Sequence, residues 1–444
     1  MRAKTMGAVA GSLVVVALAV VATVGTGCDG ASCQEVERNY ERNLRAEPGM
    51  AQLTEDGAPH LAMAMRLDLF NDLAGGVITT AVQQALNSSG TLSVQGQSIP
   101  YGLSSSGANL RFDASDACDA CLRVRGDLDG QVSATLPMVG EQRTPLSGSI
   151  DWTVPLGVSR DDDGHVSLFL DTAEAVRMGA PALQGQLTGL SGTWAQPVTN
   201  ALLSELATVV ARQVPPVRLV GFEMPRLGIA GLELTPSLFH LDGSTNALVL
   251  GVRTNLPVST GGDANAVRQA LALQDGQNIA LAIDPQAVVE TVRAGMQQGR
   301  IARRYSLSGE ARRDGSSHAL VDRLQVGSHP QSRDALALGL DFRVFNFGSG
   351  FGCFSMDGLA TSRLQVDGGR VALELEDVNF TGSRFADVAN WGSAQFIDRA
   401  ATVVTATLNE SVVLTPEVGM NLRGDRVSAE AGMLVLRGEG RASR

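Results

Sequence analysis

Between residues 197 and 257 the spacing of apolar positions changes character once, and that change predicts the local architecture. Val198, Leu202, Leu206, Val209 and Gln213 recur every three or four residues, with Ala201, Glu205 and Arg212 between them. One face of a helix over 198–213 is therefore apolar and the other wet. Pro215 and Pro216 cannot continue it. Beyond the prolines the chain alternates over short runs, Leu232 and Leu234, then Leu248, Leu250 and Val252, about a turn at 243–246. A covering helix is thus expected to lie on antiparallel strands.

The same succession recurs near the end of the chain. Ile397, Ala400, Ala401, Val404 and Leu408 share one stripe of an expected helix over 396–408, and an alternating run about a turn at 424–425 comes after it. Two earlier segments match each other as well, since 60–87 and 278–301 each read as an alternating run passing into a helix, over 69–87 and 285–298. Two copies of a strand, helix, strands, helix, strands unit are expected. The fold class is α+β: two tandem modules, each a long curved antiparallel sheet wrapped around two amphipathic helices, related by a pseudo-two-fold axis.

The expected organisation is a targeting segment over 1–27, a tether over 28–58 with one short helix at most, a first module over 59–258, a linker over 259–277 and a second module over 278–444. Between the helices, 88–196 is strand-rich, with turns expected at 88–90, 126–130 and 161–164. In the second module Phe342, Phe345, Phe347, Phe351 and Phe354 crowd a glycine-rich bend, and 364–375 is the clearest hairpin.

Composition narrows the partners. Hydrophobic residues make up 44% of the 444 but aromatic ones only 4%, so the interior is built of smooth aliphatic side chains. A net charge of −11 argues against nucleic acid, whose phosphates require basic patches. Arg2 and Lys4 precede an apolar run over 8–24, and Gly25-Thr26-Gly27 then leads to Cys28. This resembles a bacterial lipoprotein signal with Cys28 as the acylated residue, although Gly25 stands where that pattern favours an aliphatic. An ordinary cleaved signal and a permanent membrane helix are the alternatives. Each exports the chain, and the first places it lipid-anchored in a bacterial envelope, in the periplasm or at the outer-membrane surface.

Export makes the remaining cysteines disulfide candidates. Cys118 and Cys121 form a CxxC pair, but the residues after them read as strand and not as the helix N-terminus that would activate a thiol, so a structural disulfide between them is expected. The pairing of Cys33 and Cys353 stays open, one lying in the tether and the other in the second module.

Catalytic signatures are absent from the sequence. His60, His165, His240, His318 and His329 lie far apart, without zinc spacing or a nucleophile elbow, and no metal or cofactor is expected. Glycine-rich 348–352 lacks the Lys and Ser/Thr of a phosphate loop, and Asp161–163 reads as a solvated turn sooner than a calcium site. No enzyme is expected, an exported hydrolase with dispersed carboxylates being the catalytic alternative.

Taken with the duplicated unit, the stretches 214–255, 280–301 and 412–438 resemble the tubular lipid-binding superfamily, and within it the two-module branch typified by bactericidal/permeability-increasing protein. The resemblance implies curved sheets wrapped on helices with an apolar seam for lipid in each module. It nominates Leu73, Val77, Leu202, Leu206, Val209, Val292, Val404 and Leu408 as seam residues, phospholipid or fatty acyl chains as the ligand, and the membrane as a partner through the N-terminal anchor. The negative net charge departs from the branch's best-known members and puts endotoxin binding in doubt. A non-catalytic envelope scaffold or assembly lipoprotein with filled sheets is the alternative.

Overall fold

The structure is a computed structural model that describes residues 32–53, 57–118, 120–136, 139–160, 166–188, 195–214, 216–222, 229–243, 245–258, 263–306, 311–326, 337–347, 352–367, 370–382, 404–406, 412–415 and 418–443. It is α+β, and its ladders are antiparallel.

A central sheet joins the two halves. It contains β1 (Leu61–Arg66), β9 (Leu234–Asp242), β10 (Ala247–Thr254), β11 (Ile279–Ile283), β18 (Val412–Thr415), β19 (Val418–Glu430) and β20 (Met433–Ser443), in the order β18-β19-β20-β11-β1-β10-β9. The middle pair is antiparallel, with Met63 opposite Leu281; β20, β19 and β18 follow outward from β11, and β10 and β9 from β1. Each strand of the middle pair leads into a helix: β1 into α2 (Leu67–Leu86) and β11 into α6 (Pro285–Gln297). Asp284 caps α6 by accepting from the Gln286 amide at 2.8 Å, and Pro285 comes next, where its missing N–H costs nothing.

The first half adds a sheet of β2 (Ser89–Val94), β3 (Gln97–Ser115), β4 (Cys121–Leu136), β5 (Gly140–Arg160), β6 (Val166–Leu170) and β8 (Val217–Phe222), with β7 (Ala182–Leu187) pairing to β5. Against it lie α2, the short α3 (Thr172–Met178) and α4 (Ala195–Gln213). Helix α4 buries Val198, Leu202, Leu206 and Val210, an uninterrupted i, i+4 row, before Val214 and the two prolines end it. The row therefore passes through Val210, and Val209 is half-buried beside it.

The second half adds β12 (Arg304–Tyr305), β13 (Ser317–Val326), β14 (Ala337–Asn346), β15 (Phe354–Asp367), β16 (Arg370–Thr381) and β17 (Val404–Ala406) in sequential order. Period-two alternation splits its residues between two faces. Ala319, Val321, Phe342, Val344 and Met356 pack with Val289, Val292 and Met296 of α6. Leu320, Phe345 and Cys353 pack instead with Val36 and Tyr40 of α1 (Cys33–Ala46).

Several expectations change. The stretch 33–46 of the expected tether is a docked helix, since Val36, Tyr40 and Leu44 fall at i, i+4, i+8 and Ser32 caps it by accepting from Glu35. Part of the expected linker, 264–270, is α5 (Ala264–Ala270), which lays Val267 and Ala270 on Ala62, Ala64 and Val435 of the central sheet. Glycines at 126 and 130 lie inside β4, and Gly424-Asp425 marks a bulge in β19, whose turn comes later at Ala431 and Gly432, both with positive φ. The expected turns about 243–246 and within 364–375 separate strands as anticipated. Val404–Ala406 form a strand with Val404 paired to Leu373, where the expected helix over 396–408 would continue, and the rest of that helix lies outside the described residues. Cys28, Leu408 and the acidic turn at 161–164 lie outside the described residues.

Candidate functional site

The seam between α4 and the first sheet is the nearest thing to an acyl site. Leu86 of α2, Leu103 of β3, Leu128 of β4, Leu146 of β5, Leu183 of β7, and Leu203 and Leu206 of α4 converge on one void. These leucines come from six elements, two of them helices and four of them strands of the first sheet. A Cβ on Gly130 would sit 2.8 Å from the Ser104 carbonyl oxygen, and one on Gly148 2.6 Å from that of Gln184, so only glycine permits this approach of neighbouring strands. A bulge between Ser105 and Gly107 interrupts the β3–β4 register at the same place. Polar Ser105, Asp129, Ser149 and Gln184 edge the void.

The void measures about 10 Å³. That is room for about one water, against the several hundred Å³ of a site that holds a small ligand. Leu202 and Leu206 are 0% and 1% exposed; they fill the interior as it stands. Leu73 and Val77 are on α2, but their side chains lie outside the described residues. Val292 is buried in the second half, among a different set of residues. The structure thus brings Leu202 and Leu206 to one seam, sets Val209 at its flank and leaves Val292 and Val404 apart from it. Reading the sequence alone misses Leu103, Leu128 and Leu146. Their signal is the alternation of leucine with polar residues along β3, β4 and β5, each placing one side chain inward every second position.

A larger concavity of about 580 Å³ lies over the same sheet, lined by Asn109, Arg111, Asp113, Arg125, Asp127, Asp151 and Gln184. Its charges answer one another: Arg125 meets Asp113 at 3.0 Å, and Arg123 forks onto Asp151, whose carboxyl is held below the usual carboxylate range chiefly by that hydrogen bond. A trough so neutralised offers no concentrated field for a charged ligand.

In the second half, polar groups are buried with α6. Glu290 and Arg293 pair on that helix, and the Arg293 guanidinium also donates to the Val321 and Asp322 carbonyls at 3.0 and 2.8 Å. Burial raises the Asp322 carboxyl despite nearby Arg343 and Arg293. On the opposite face, Tyr40 of α1 meets His318 edge-on at 4.7 Å, and His318 stacks on Phe347 at 4.4 Å. Glu47, just past α1, makes a buried two-pronged pair with Arg303. Cys33 is bonded to Cys353, which fixes the start of α1 to the sheet, and Cys118 is bonded to Cys121 across a Cα separation of 5.2 Å.

Among the described residues no three His, Cys, Asp or Glu side chains come together as a metal site, and no helix is long and apolar enough to cross a membrane. His60 is fully buried in the central sheet, where Nδ1 accepts from the Thr254 amide at 3.1 Å; burial, then the nearby Arg253 charge, pushes it down to about 4.

No family model matches the chain, and no curated protein does. Among solved structures it is similar to a lipopolysaccharide binding protein, at 12% identity over 87% of this chain and 100% of that one, with a TM-score of 0.34. It is also similar to P47 from Clostridium botulinum A2, at 8% identity over 86% and 97% with a TM-score of 0.38. P47 of Clostridium botulinum E1 gives 8% over 86% and 99%, with a TM-score of 0.40. All three scores fall below 0.5, and nothing about a ligand is drawn from them.

Proposed function

We propose that this chain is an exported, non-catalytic lipid-binding protein, anchored in a bacterial envelope through an acylated Cys28, whose first module takes an acyl chain between α4 and its bent sheet. In this reading each half is a curved sheet wrapped on helices. The observation that supports it most directly is the all-leucine lining of the seam with a polar edge, a distribution that suits a hydrocarbon tail with a polar head. Because the void is too small for a ligand as it stands, loading proceeds by outward movement of α4, as the acyl chain takes over contacts that Leu202, Leu206 and the half-buried Val209 make with the sheet. Aliphatic contact replaces aliphatic contact, and a chain of about 16 carbons withdrawn from water contributes on the order of 10 kcal/mol toward that exchange.

The small size of the void also favours a second reading, a solid envelope scaffold acting through protein contacts. One experiment separates them. Protein purified under conditions that preserve bound lipid is extracted and analysed by mass spectrometry, beside a Leu206→Asp variant followed by circular dichroism. A carrier yields acyl lipid from the parent and less from a folded variant. A scaffold yields none from the parent, takes up no fluorescent acyl probe, and loses its fold in the variant, because a carboxylate cannot be buried in a filled core.

A further inference from the structure

The outward face of the first sheet carries an ordered row of polar side chains. Asn109 pairs with Asp127, Asp127 with Ser149 and Ser149 with Gln184, so these four stand in line on the neighbouring strands β3, β4, β5 and β7. Strands lie about 4.8 Å apart, and the row therefore runs straight across the sheet for about 14 Å. Leu128 and Leu183, next in sequence to Asp127 and Gln184 at their respective strands, line the leucine seam. Successive side chains of a strand point to opposite faces, which puts the row on the other side of the sheet. Ser149 and Gln184 edge both spaces because a single layer of backbone divides them.

The row lines the concavity of about 580 Å³, a size within the range of small-ligand sites. Beside it, Arg111, Arg125 and Asp151 stand in register, with Arg125 paired to Asp113 and Arg123 to Asp151. Arg111, Arg123 and Arg125 thus balance Asp113, Asp127 and Asp151, and no net charge selects an ion. The side chains of Asn109, Asp127, Ser149 and Gln184 are in a different state: none makes a hydrogen bond among the described residues. Two amides, a carboxylate and a hydroxyl can between them donate and accept along the whole row. Among the described residues the large exposed apolar side chains, Val139, Val176, Met178 and Val288, all lie outside the trough. A protein partner would find no apolar anchor there, the part of an interface that supplies most of its binding energy.

An uncharged chain of hydroxyls suits this surface, because an oligosaccharide presents paired donors and acceptors at short, regular intervals along its length. We infer that the trough over β3, β4, β5 and β7 binds a neutral oligosaccharide, with Asn109, Asp127, Ser149 and Gln184 as its hydrogen-bonding row. The inference goes beyond the acyl reading and stands without it, since the two sites occupy opposite faces of the sheet.

The test uses the purified full chain with maltohexaose, cellohexaose and chitohexaose, followed by saturation-transfer NMR and calorimetry. At least one should bind with a Kd of about 1 mM or tighter, and better than the disaccharide of the same linkage. Its affinity should stay within about twofold between about 50 and about 500 mM salt, as an uncharged ligand requires. Asp127→Ala and Gln184→Ala should each weaken binding about tenfold with the melting temperature unchanged, because neither side chain makes a hydrogen bond within the fold. Should either variant lose stability, Asn109→Ala or Ser149→Ala takes its place. Gln131→Ala, exposed on the same face of β4 outside the trough, should leave binding as it is. Absence of binding by all three hexaoses at about 10 mM overturns the inference. So does binding that survives the row variants, or an affinity that falls as salt is raised. Acyl lipid extracted from the parent bears on the acyl reading alone, so the two can fail separately.

Discussion

In the first half α4 meets its sheet through Val198, Leu202, Leu206 and Val210, whereas in the second α6 brings Glu290 and Arg293 among Val289, Val292 and Met296. The first contact is non-directional, so another hydrocarbon surface can replace either side of it with little change in free energy. The second is directional. Parting α6 from β13 would break the two charge-assisted hydrogen bonds that the Arg293 guanidinium donates to the Val321 and Asp322 carbonyls, while Glu290 moves with it, and the lost bonds are of the stronger, charged kind. On this contrast the first half is the one expected to open for a ligand, and the second is the one to which α1 is bonded and packed.

The sharpest way to break this contrast is Glu290→Ala. Removing the carboxylate while Arg293 stays buried should destabilise the protein by about 3–5 kcal/mol, read as a lower midpoint in urea unfolding. A loss below about 1 kcal/mol would mean that the pair does not lock α6. Leu202→Ala probes the other side. It should cost roughly 2–5 kcal/mol and leave a dry apolar cavity beneath α4. Added benzene should then raise the melting temperature of the variant and leave that of the parent unchanged. If it raises neither, the interior of the first half has collapsed around the deletion and is no readier to admit hydrocarbon than the second.

The elements of this contrast differ in how far they can be read from the chain. Helices α2, α4 and α6 are legible because their apolar residues repeat at helical spacing over three turns or more. Helix α1 reads as no more than a short helix in a tether, and its docking is not legible, because Val36, Tyr40 and Leu44 are its only large apolar residues, a stripe one residue wide in a charged segment. Gly126 and Gly130 resemble turn residues, since a glycine that admits a neighbouring strand looks the same in sequence as one that reverses the chain. The Cys33–Cys353 bond closes a separation of 320 residues and leaves no local trace. For the seam, the helical leucines are legible and the strand leucines are not, because which strands share a face is settled by non-local pairing and by the close strand approach that the glycines allow.

The smallest expected effect concerns acid. His318 is 5% exposed between Tyr40 and Phe347, and burial, then the charge of Arg304, pushes its pKa down to about 4. In the unfolded chain it titrates near 6.5. Above that pH it is neutral in both states and its contribution to stability is fully present. As pH falls from 6.5 toward 4 the unfolded chain takes up a proton that the folded one refuses, so stability declines across that window and levels off below it. Allowing for solvent screening, the loss is on the order of 1–2 kcal/mol. His60, just before β1 of the central sheet, also carries a depressed pKa of about 4. His318→Phe should therefore flatten part of the stability decline from pH 6.5 to 4 without abolishing it. Hydrogen exchange gives the location: on acidification amides of α1 should speed up in the parent and less in His318→Phe, and those of α4 should respond equally in both. An identical pH slope for parent and variant would mean that the clasp on α1 does not sense acid through His318, leaving His60 as the source and the two halves alike in their response.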